Sequence, residues 1–219
     1  MSGPGDGPSG GVGVFGGSFD PPHIGHLIVA EALVEAFSLE HVVFVPARHS
    51  PLKTVAPSAP PDVRLRMVRA AIRANRRFAV DAVEIERSGF SYTVETLQVL
   101  SRRQPGTPLV LGLGADQWAS FGHWRGSGAI AGLAKIAVVT RGGDRPGAVS
   151  AGSADVPHLP FTEVRIPRVD ISSTLVRRRV RDGRSVRYLV PDSVRRIIEA
   201  EGLYLMDAPS GESVARTEP

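Results

Sequence analysis

The sequence of 219 residues contains no cysteine, which excludes disulfide bonds and thiolate ligands for a metal. This absence is compatible with a reducing compartment, and we expect a cytoplasmic protein. No apolar run reaches 18 residues, so neither a transmembrane helix nor a membrane partner is predicted. Lysine occurs only at Lys53 and Lys135, so arginine carries nearly all of the positive charge. The formal net charge of +4 suits an anionic small molecule as well as a nucleic acid and decides nothing alone.

Several motifs that carry chemistry are missing as well. The chain has no G-x-x-x-x-G-K-[ST] phosphate loop, and it has no basic segment interleaved with aromatic residues. A nucleic acid is therefore not an expected partner. His23 and His26 form a pair with no third or fourth metal ligand nearby in sequence. The other histidines also lack ligand spacing, so no metal site built from side chains is predicted.

One apparent motif is rejected. Residues Gly11 to Gly16 match the dinucleotide fingerprint G-x-G-x-x-G. That fingerprint requires a strand before its first glycine and a helix at its last. Here the apolar run Val12 to Phe15 puts the predicted strand inside the match, so we treat the match as a coincidence.

The composition of the chain predicts one domain with two tails. Residues 1–11 are rich in Gly, Pro and Ser and have neither a basic start nor an apolar stretch, which argues against a signal peptide and favours a disordered tail. Residues 12–205 are expected to form a single domain, and 206–219 a flexible C-terminal tail. The low-complexity run 142–158 is predicted to be a flexible surface excursion.

Short apolar runs alternate with helical patterns along the domain. Strands are predicted at Val12 to Phe15, Val42 to Val45, Phe78 to Arg87, Leu109 to Leu111, Ile136 to Val139 and near Val164 to Ile166. Helices are predicted from about His23 to Phe37, from an N-cap at Asp62, from Ser91 onward, at about Ser172 to Asp182 and at Asp192 to Glu201, with a loop between the fourth and fifth strands. The alternation predicts an α/β fold, a Rossmann-like doubly wound parallel sheet with a small C-terminal helical part. Ligands of such sheets bind beyond the carboxyl ends of the strands.

The most informative stretch is Gly16 to His26, directly after the first predicted strand. Gly16 and Gly17 allow backbone conformations closed to other residues and a close approach to a ligand. A helix that begins near His23 would point free N–H groups and a partial positive charge back at this turn, which makes a phosphate site. His23 and His26 would lie on one face of that helix. A plainer alternative is that both histidines only cap the helix start.

This stretch resembles the G-x-F-D-x-x-H-x-G-H signature of the nucleotidyltransferase superfamily. The segment Ile171 to Arg177 resembles the same superfamily's I-S-S-T-x-x-R, and two motifs about 150 residues apart in this order are more specific than either alone. Within the superfamily the chain resembles the bacterial nicotinate-nucleotide adenylyltransferases from Val12 to about Leu205. That resemblance is carried by Ser50 to Lys53, Arg64 to Met67, Glu86 to Leu97, Gly112 to Asp116 with Phe121 and Trp124, Tyr188 to Pro191, and Gly202 to Tyr204.

The resemblance implies adenylyl transfer from ATP to nicotinate mononucleotide, which gives nicotinate adenine dinucleotide and pyrophosphate. The mononucleotide's own phosphate attacks the α-phosphorus, so the missing Ser/His/Asp or Cys/His set is expected. Catalysis then depends on positioning and on neutralising charge. Mg²⁺ is expected to be bound mainly through the ATP phosphates, without a dedicated acidic site. The family also often self-associates, so a homo-oligomer is possible.

The resemblance also implies roles for individual residues. His23 and His26 would contact the ATP phosphates, Arg177 would clamp them, and Lys53 would meet the mononucleotide phosphate. The remaining ATP-binding residues would be Gly16, Gly17, Ser18, Phe19, Gly25, Gly114, Asp116, Ile171, Ser172 and Ser173. Among these, Asp116 would accept from ribose hydroxyls, and the two serines would hold the β- and γ-phosphates.

On the mononucleotide side, Trp124 would stack on the pyridine ring and the turn at Thr93 would offer N–H groups to its carboxylate. Arg141 is a second candidate for the mononucleotide phosphate. Each role has a plainer competitor: Trp124 as a core aromatic, Lys53 as an exposed loop lysine and Thr93 as a helix cap. Trp118 receives no role.

Two rival functions stay open. One is a sibling transferase that acts on nicotinamide mononucleotide, phosphopantetheine or glycerol phosphate. The block Ser91 to Thr93 and Trp124 favour a pyridine substrate, but the choice of acid over amide is left open. The other rival is a nucleotide-binding module without turnover. It is disfavoured by an intact set of motif residues, namely His23, His26, Lys53, Ser173 and Arg177.

Overall fold

The computed structural model describes residues 10–51, 56–142 and 159–205. Its strands are β1 (Val12–Gly17), β2 (His41–Pro46), β3 (Phe78–Val80), β4 (Leu109–Gly114), β5 (Lys135–Arg141) and β6 (Phe161–Ile166). They form one sheet in the order β3-β2-β1-β4-β5-β6, and every neighbouring pair is parallel. This is the strand order of the doubly wound Rossmann fold, so the predicted fold class is confirmed.

The helices that connect the strands lie on both faces of the sheet. They are α1 (Ile24–Phe37), α2 (Pro61–Ile72), α3 (Val83–Glu86), α4 (Thr93–Arg103), α5 (Ala115–Ala119), α6 (Ser127–Leu133), α7 (Ser173–Arg181) and α8 (Asp192–Ala200), with a 3₁₀ turn at Phe121–His123. Successive strand residues point to opposite faces and therefore join different clusters. In β4, for example, Leu109 and Leu111 pack on one face with α4 and α6, whereas Val110 packs on the other with α1 and α2.

A third apolar cluster joins the C-terminal helices to α2. Val63 and Met67 of α2 pack with Val176 of α7 and with Val194 and Ile198 of α8. The chain that follows the last strand therefore folds back against a helix that belongs to the first half of the sheet. This packing brings the start of α7 beside the loop between β1 and α1.

The sheet opens between β1 and β4. The register pairs β1 with β2 from Val12 to Gly17 but with β4 only from Val12 to Val14. Connections leave these two central strands in opposite directions, so a crevice forms where they diverge. The turn after β1 and the ends of β4 and β5 open into that crevice.

Three details of the predicted elements are wrong. The strand predicted from Phe78 to Arg87 ends at Val80, and α3 follows, because Asp81 Oδ1 accepts from the Val83 N–H at 2.8 Å and starts a helical turn. The predicted loop between the fourth and fifth strands contains α5, the 3₁₀ turn and α6. Asp62 is not an N-cap, because α2 begins at Pro61. Asp62 lies in the first turn of α2, where its negative charge interacts favourably with the helix dipole.

The rejection of the dinucleotide fingerprint is confirmed, because β1 begins after the first glycine of the match and continues past the last, where the fingerprint requires a helix. Gly11, the last residue of the predicted tail, is buried, and its carbonyl accepts from the Glu40 N–H at 2.9 Å. The predictions for 1–9, for 206–219 and for most of 142–158 lie outside the described residues. Of the helices in the described ranges, none is long and apolar enough to cross a membrane.

Candidate active site

One cleft at the carboxyl ends of the strands, about 1110 Å³ in volume, is lined by every predicted site residue that the structure describes. These residues are Gly16, Gly17, Ser18, Phe19, His23, Gly25, His26, Thr93, Gly114, Asp116, Trp124, Arg141, Ile171, Ser172, Ser173 and Arg177. They come from five separate segments of the chain. Lys53 lies outside the described residues, so its role stays a prediction.

The two histidines form one unit at the start of α1. His23 is the N-cap and His26 stands three residues further on; their rings stack with centroids 3.7 Å apart. The backbone N–H of His23 donates to Nδ1 of His26 at 3.1 Å, as in a capping box. In a neutral ring the proton of His26 therefore sits on Nε2, which makes that atom a hydrogen-bond donor. Capping and ligand binding are thus compatible roles.

The N-terminus of α1 is less open than predicted. The helix begins at Ile24, and the Ile24 N–H donates to the carbonyl of Leu189 at 2.9 Å. One of the N–H groups that was expected to face a phosphate is therefore used inside the protein. The contact ties α1 to the segment between α7 and α8.

His23 is neutral at physiological pH. Burial lowers the pKa of His23 to about 4, and the positive charge of Arg141 adds to the effect. Its Nδ1 atom is buried and has no hydrogen-bond partner within the part of the chain that the structure describes. A buried, unpartnered nitrogen at the mouth of a cleft is a group that a ligand can satisfy.

The glycines of the first motif make room for aromatic rings. A Cβ atom on Gly17 would lie 3.0 Å from the Phe19 ring, and one on Gly25 would lie 3.1 Å from the His23 ring. The Phe19 ring is only 2% exposed and packs edge-on to His26 with centroids 5.0 Å apart. Phe19 therefore packs against the His26 ring inside the protein and offers no exposed ring face on which adenine could stack.

The second motif is attached directly to the first. Ser173 Oγ, at the start of α7, donates to the carbonyl of Pro21 at 2.8 Å, and Arg177 donates to the carbonyl of Asp20 at 2.7 Å. Ser172 is the N-cap of α7, and its Oγ accepts from the Leu175 N–H. The Ser173 hydroxyl therefore donates within the protein, whereas the Ser172 hydroxyl only accepts and keeps its own proton as a donor; the phosphate roles of both serines stay predictions.

Sequence reasoning missed Asp20, which is buried at the centre of this arrangement. Its carboxylate accepts from the N–H groups of Ser58 and Ala59 at 2.7 and 3.1 Å and from the Tyr204 hydroxyl at 2.8 Å. A guanidinium nitrogen of Arg177 lies 3.7 Å from the same carboxylate. The position of Asp20 inside the motif was the only available signal.

Arg64 belongs to a segment that carries the family resemblance, and sequence reasoning predicted no role for it. In the structure its side chain is fully buried. Its guanidinium donates to four carbonyls of the loops around the cleft, those of Ser18, Ala47, Arg48 and Ala59. Five donors in a fixed fork suit such a task. An arginine between Val63 and Met67 on the apolar face of α2 is the signal that could have found it.

Trp124 lines the far side of the cleft, and Trp118 lies in the core close by. Trp124 is half-buried with its ring 5.4 Å from Phe121, and its buried Nε1 has no hydrogen-bond partner among the described residues. Trp118 is 5% exposed and stacks on Phe121 at 5.1 Å. Trp118 is therefore a core residue, which accounts for its lack of a predicted role.

Thr93 is the first residue of α4, so backbone N–H groups of the first helical turn face the cleft. The preceding Ser91 is tied to the loop after β2: its Oγ accepts from the Arg48 N–H at 3.0 Å, and its N–H donates to the His49 carbonyl at 2.8 Å. Beneath it the buried carboxyl of Glu84 accepts from Thr96 at 2.6 Å, and burial raises the pKa of Glu84. These two hydrogen bonds fix the first part of the loop that leads to Lys53 against the start of α4.

Asp116 stands at the end of β4. Gly114 is the N-cap of α5, and Asp116 is exposed in the first turn of that helix. In the described ranges no three His, Cys, Asp or Glu side chains lie together as ligands for a metal ion. The acidic groups of the cleft are therefore single carboxylates.

Several known proteins are similar to this chain in sequence and in fold. A family model described as cytidylyltransferase-like matches residues 14–179. The chain is 46% identical over 198 residues to a protein of Roseiflexus sp. and 39% identical over 199 residues to one of Rhodopirellula baltica, both named probable nicotinate-nucleotide adenylyltransferase. The matches cover 88% and 89% of this chain and 97% and 93% of those proteins.

A solved structure of Plasmodium falciparum nicotinic acid mononucleotide adenylyltransferase complexed with NaAD is similar in fold. It superposes with a TM-score of 0.71 at 18% identity, over 89% of this chain and 97% of that one. The level of identity and the nearly full coverage of the curated relatives show the family. The chain belongs to the nicotinate-nucleotide adenylyltransferases, within the cytidylyltransferase-like proteins.

Proposed function

We propose that this protein transfers the adenylyl group of ATP to nicotinate mononucleotide, as in NAD biosynthesis. The observation that carries the proposal is the single cleft in which the paired histidines and Arg177 face Thr93 and Trp124. The names of the curated relatives support the same reaction. So do the Plasmodium falciparum structures, which are complexed with NaAD and with APC.

The reaction needs no nucleophile from the protein. An oxygen of the mononucleotide phosphate forms a bond to the α-phosphorus of ATP, and the bond from that phosphorus to the bridging β-oxygen breaks, which releases pyrophosphate. Negative charge builds up on the oxygens around the α-phosphorus and on the leaving group. The task of the protein is to align the two phosphates and to stabilise that charge.

At the phosphates we assign the donors to the two motifs. Nε2–H of His26 would donate to a phosphate oxygen, and His23 would satisfy its unpartnered Nδ1 on the bound nucleotide. Arg177 would clamp the outer phosphates with the part of its guanidinium that faces the cleft. Arg141 lines the same cleft at the end of β5 and would be a second cation for the mononucleotide phosphate.

Mg²⁺ would be held mainly by the ATP phosphate oxygens and water, and it would neutralise part of the phosphate charge. The carboxylate of Asp20 already has partners in Ser58, Ala59 and Tyr204, so it is a poor magnesium ligand. Exposed Asp116 would accept from the ribose hydroxyls. Gly16 and Gly17 would bring backbone close to the nucleotide.

On the acceptor side, Trp124 would stack on the pyridine ring. The N–H groups at the start of α4 would bind the carboxylate, because a helix N-terminus favours a negative group. This is also the physical argument for the acid over the amide. Lys53 would reach the mononucleotide phosphate from the loop after β2. Self-association and a cytoplasmic location stay predictions.

The test is pyrophosphate release from MgATP with nicotinate mononucleotide and, in parallel, with nicotinamide mononucleotide and with phosphopantetheine. We expect release with both pyridine mononucleotides, with a kcat/KM at least about tenfold higher for the acid. The reason is that the neutral amide interacts less favourably than a carboxylate with the N–H groups at the start of α4. Equal rates for acid and amide would replace the proposal by a dual-specificity enzyme. No release with either pyridine substrate would show that the proposed reaction is wrong.

A further inference from the structure

The C-terminal segment reaches the catalytic loop through one side chain. Tyr204 follows α8, and its hydroxyl donates to Asp20 Oδ1 at 2.8 Å, across 184 residues of sequence. Two features hold the tyrosine there: Gly202 has a φ of +60°, which turns the chain after α8, and the Leu203 N–H donates to the Ile198 carbonyl at 3.0 Å. The Tyr204 ring itself packs against the cluster formed by α2, α7 and α8.

Asp20 connects Tyr204 to the residues at the phosphate end of the cleft. The residue lies in the loop between β1 and His23, and its carbonyl and its carboxylate both face the guanidinium of Arg177. Within the described part of the chain, the carboxylate oxygen that Tyr204 binds has one other hydrogen-bond partner, the N–H of Ala59 at 3.1 Å. Without the hydroxyl, this buried charged oxygen would depend on that single, longer hydrogen bond.

The hydroxyl is a permanent donor. Burial raises the pKa of Tyr204 well above its usual range, and the negative charge of Asp20 adds to the effect. The proton therefore stays on the tyrosine at every pH at which the protein works. A hydrogen bond from a neutral donor to a carboxylate is also stronger than one between two neutral groups.

We propose that Tyr204 is a positioning residue for ATP: through Asp20 it fixes the loop that carries His23 and the orientation of Arg177. The proposal rests on the proposed function in one respect, that ATP is the nucleotide bound at this end. The larger effect falls on ATP, because Tyr204 packs in the C-terminal cluster, whereas Trp124 and the start of α4 pack in the separate cluster that β4 forms with α4 and α6.

The test is Tyr204→Phe, which keeps the ring and removes only the hydroxyl. Calorimetry with α,β-methylene ATP, and separately with nicotinate mononucleotide, measures the two affinities without turnover. We expect the Kd for the ATP analogue to rise about five- to tenfold and the Kd for the mononucleotide to change less than about twofold. Tyr188→Phe is the matched control, because Tyr188 lies in the same part of the chain but is 82% exposed.

A second comparison tests whether Tyr204 acts through Asp20. In an Asp20→Ala background, Tyr204→Phe should have no further effect on the Kd of the ATP analogue, since the acceptor is already gone. Undiminished effects in both backgrounds would contradict the pathway. The proposal would also be overturned if Tyr204→Phe lowered only the melting temperature, or if it weakened both ligands equally.

The outcome is separable from that of the proposed function. If the wild-type protein released no pyrophosphate with any mononucleotide, the reaction would be wrong, while the affinity for the ATP analogue would still decide the role of Tyr204.

Discussion

The two ends of the cleft are built differently. At the phosphate end, residues distant in sequence are joined by short hydrogen bonds: Ser173 to Pro21, Arg177 and Tyr204 to Asp20. At the pyridine end, Trp124 rests on Phe121 with its Nε1 unpartnered on the described chain. The phosphate end therefore joins its own binding residues to one another, whereas at the pyridine end the hydrogen bonds of Ser91 and Glu84 support the start of α4 and do not include Trp124.

The difference matches what the two ends have to do. Stabilising charge at the α-phosphorus requires donors that are already in place, since reorganisation during the reaction would cost free energy. Recognition of a flat pyridine ring requires a stacking surface and a few donors, which need less support. Changes at the phosphate end should therefore reduce kcat and the affinity for ATP, and changes at the pyridine end should raise the KM of the mononucleotide.

The largest effect is expected from His26→Gln. Glutamine can still accept the His23 N–H at this position of the helix, so the cap is retained while the imidazole donor is lost. We expect kcat to fall about 10²- to 10³-fold with little change in melting temperature. His26→Ala, which loses the cap too, should in addition destabilise the fold by about 1 kcal/mol in thermal unfolding. Near-normal kcat in His26→Gln would mean that His26 only caps the helix.

The next effect is expected from Arg177→Ala. Loss of a guanidinium that binds phosphate should lower kcat/KM for ATP about 10- to 100-fold, as steady-state kinetics would measure. Arg178→Ala is the matched control, because Arg178 is the exposed next residue of the same helix and should leave the kinetics unchanged. Equal losses in the two variants would point to a general effect of charge rather than to a clamp.

The pyridine end is tested by its two tryptophans. Trp124→Ala should raise the KM for nicotinate mononucleotide about tenfold, since stacking on an aromatic ring is lost, and leave the KM for ATP unchanged. Trp118→Ala should do the reverse: it should destabilise the fold by about 3–5 kcal/mol in chemical unfolding, because a core side chain is removed. If Trp124→Ala changed stability but not the KM of the mononucleotide, Trp124 would be a core aromatic as well.

The smallest effect is expected in the pH dependence of stability and comes from His23. Its pKa is about 4 in the fold and 6.5 in a free histidine, so the unfolded chain binds more protons between these values, and stability rises with pH there. Between pH 7 and pH 5.5 the wild-type protein should lose about 1 kcal/mol more unfolding free energy than His23→Asn, in which nothing titrates at this position. The difference between the two urea-unfolding curves isolates this group. Parallel pH dependences would show that His23 is not held neutral.

The elements and the motif residues could be predicted because local patterns encode them. Runs such as Val42 to Val45 are apolar on both faces only in a buried parallel strand, and the two phosphate motifs carry their own spacing. The short helices between β4 and β5 escaped prediction because the frequent glycines of that stretch are typical of loops. The turn after Val80 escaped because the hydrogen bond from the Val83 N–H to Asp81 Oδ1 starts a helical turn and overrides an alternating pattern.

The supporting residues could not be predicted for a different reason. The contact of Tyr204 with Asp20 depends on how α8 packs against α2, which no local pattern records. Arg64 satisfies four carbonyls that come from separate loops, so its role exists only in the folded chain. Sequence motifs thus identify the groups that meet the substrates, and the structure adds the groups that hold them in place.

The claim that the two ends are independently built is tested most directly by a crossed binding experiment. The affinities for α,β-methylene ATP and for nicotinate mononucleotide are measured by calorimetry on the wild-type protein, Arg177→Ala and Trp124→Ala. We predict that Arg177→Ala loses affinity for the ATP analogue alone and that Trp124→Ala loses affinity for the mononucleotide alone. If each variant weakened both ligands by the same factor, the cleft would act as one coupled unit and the distinction between its two ends would be wrong.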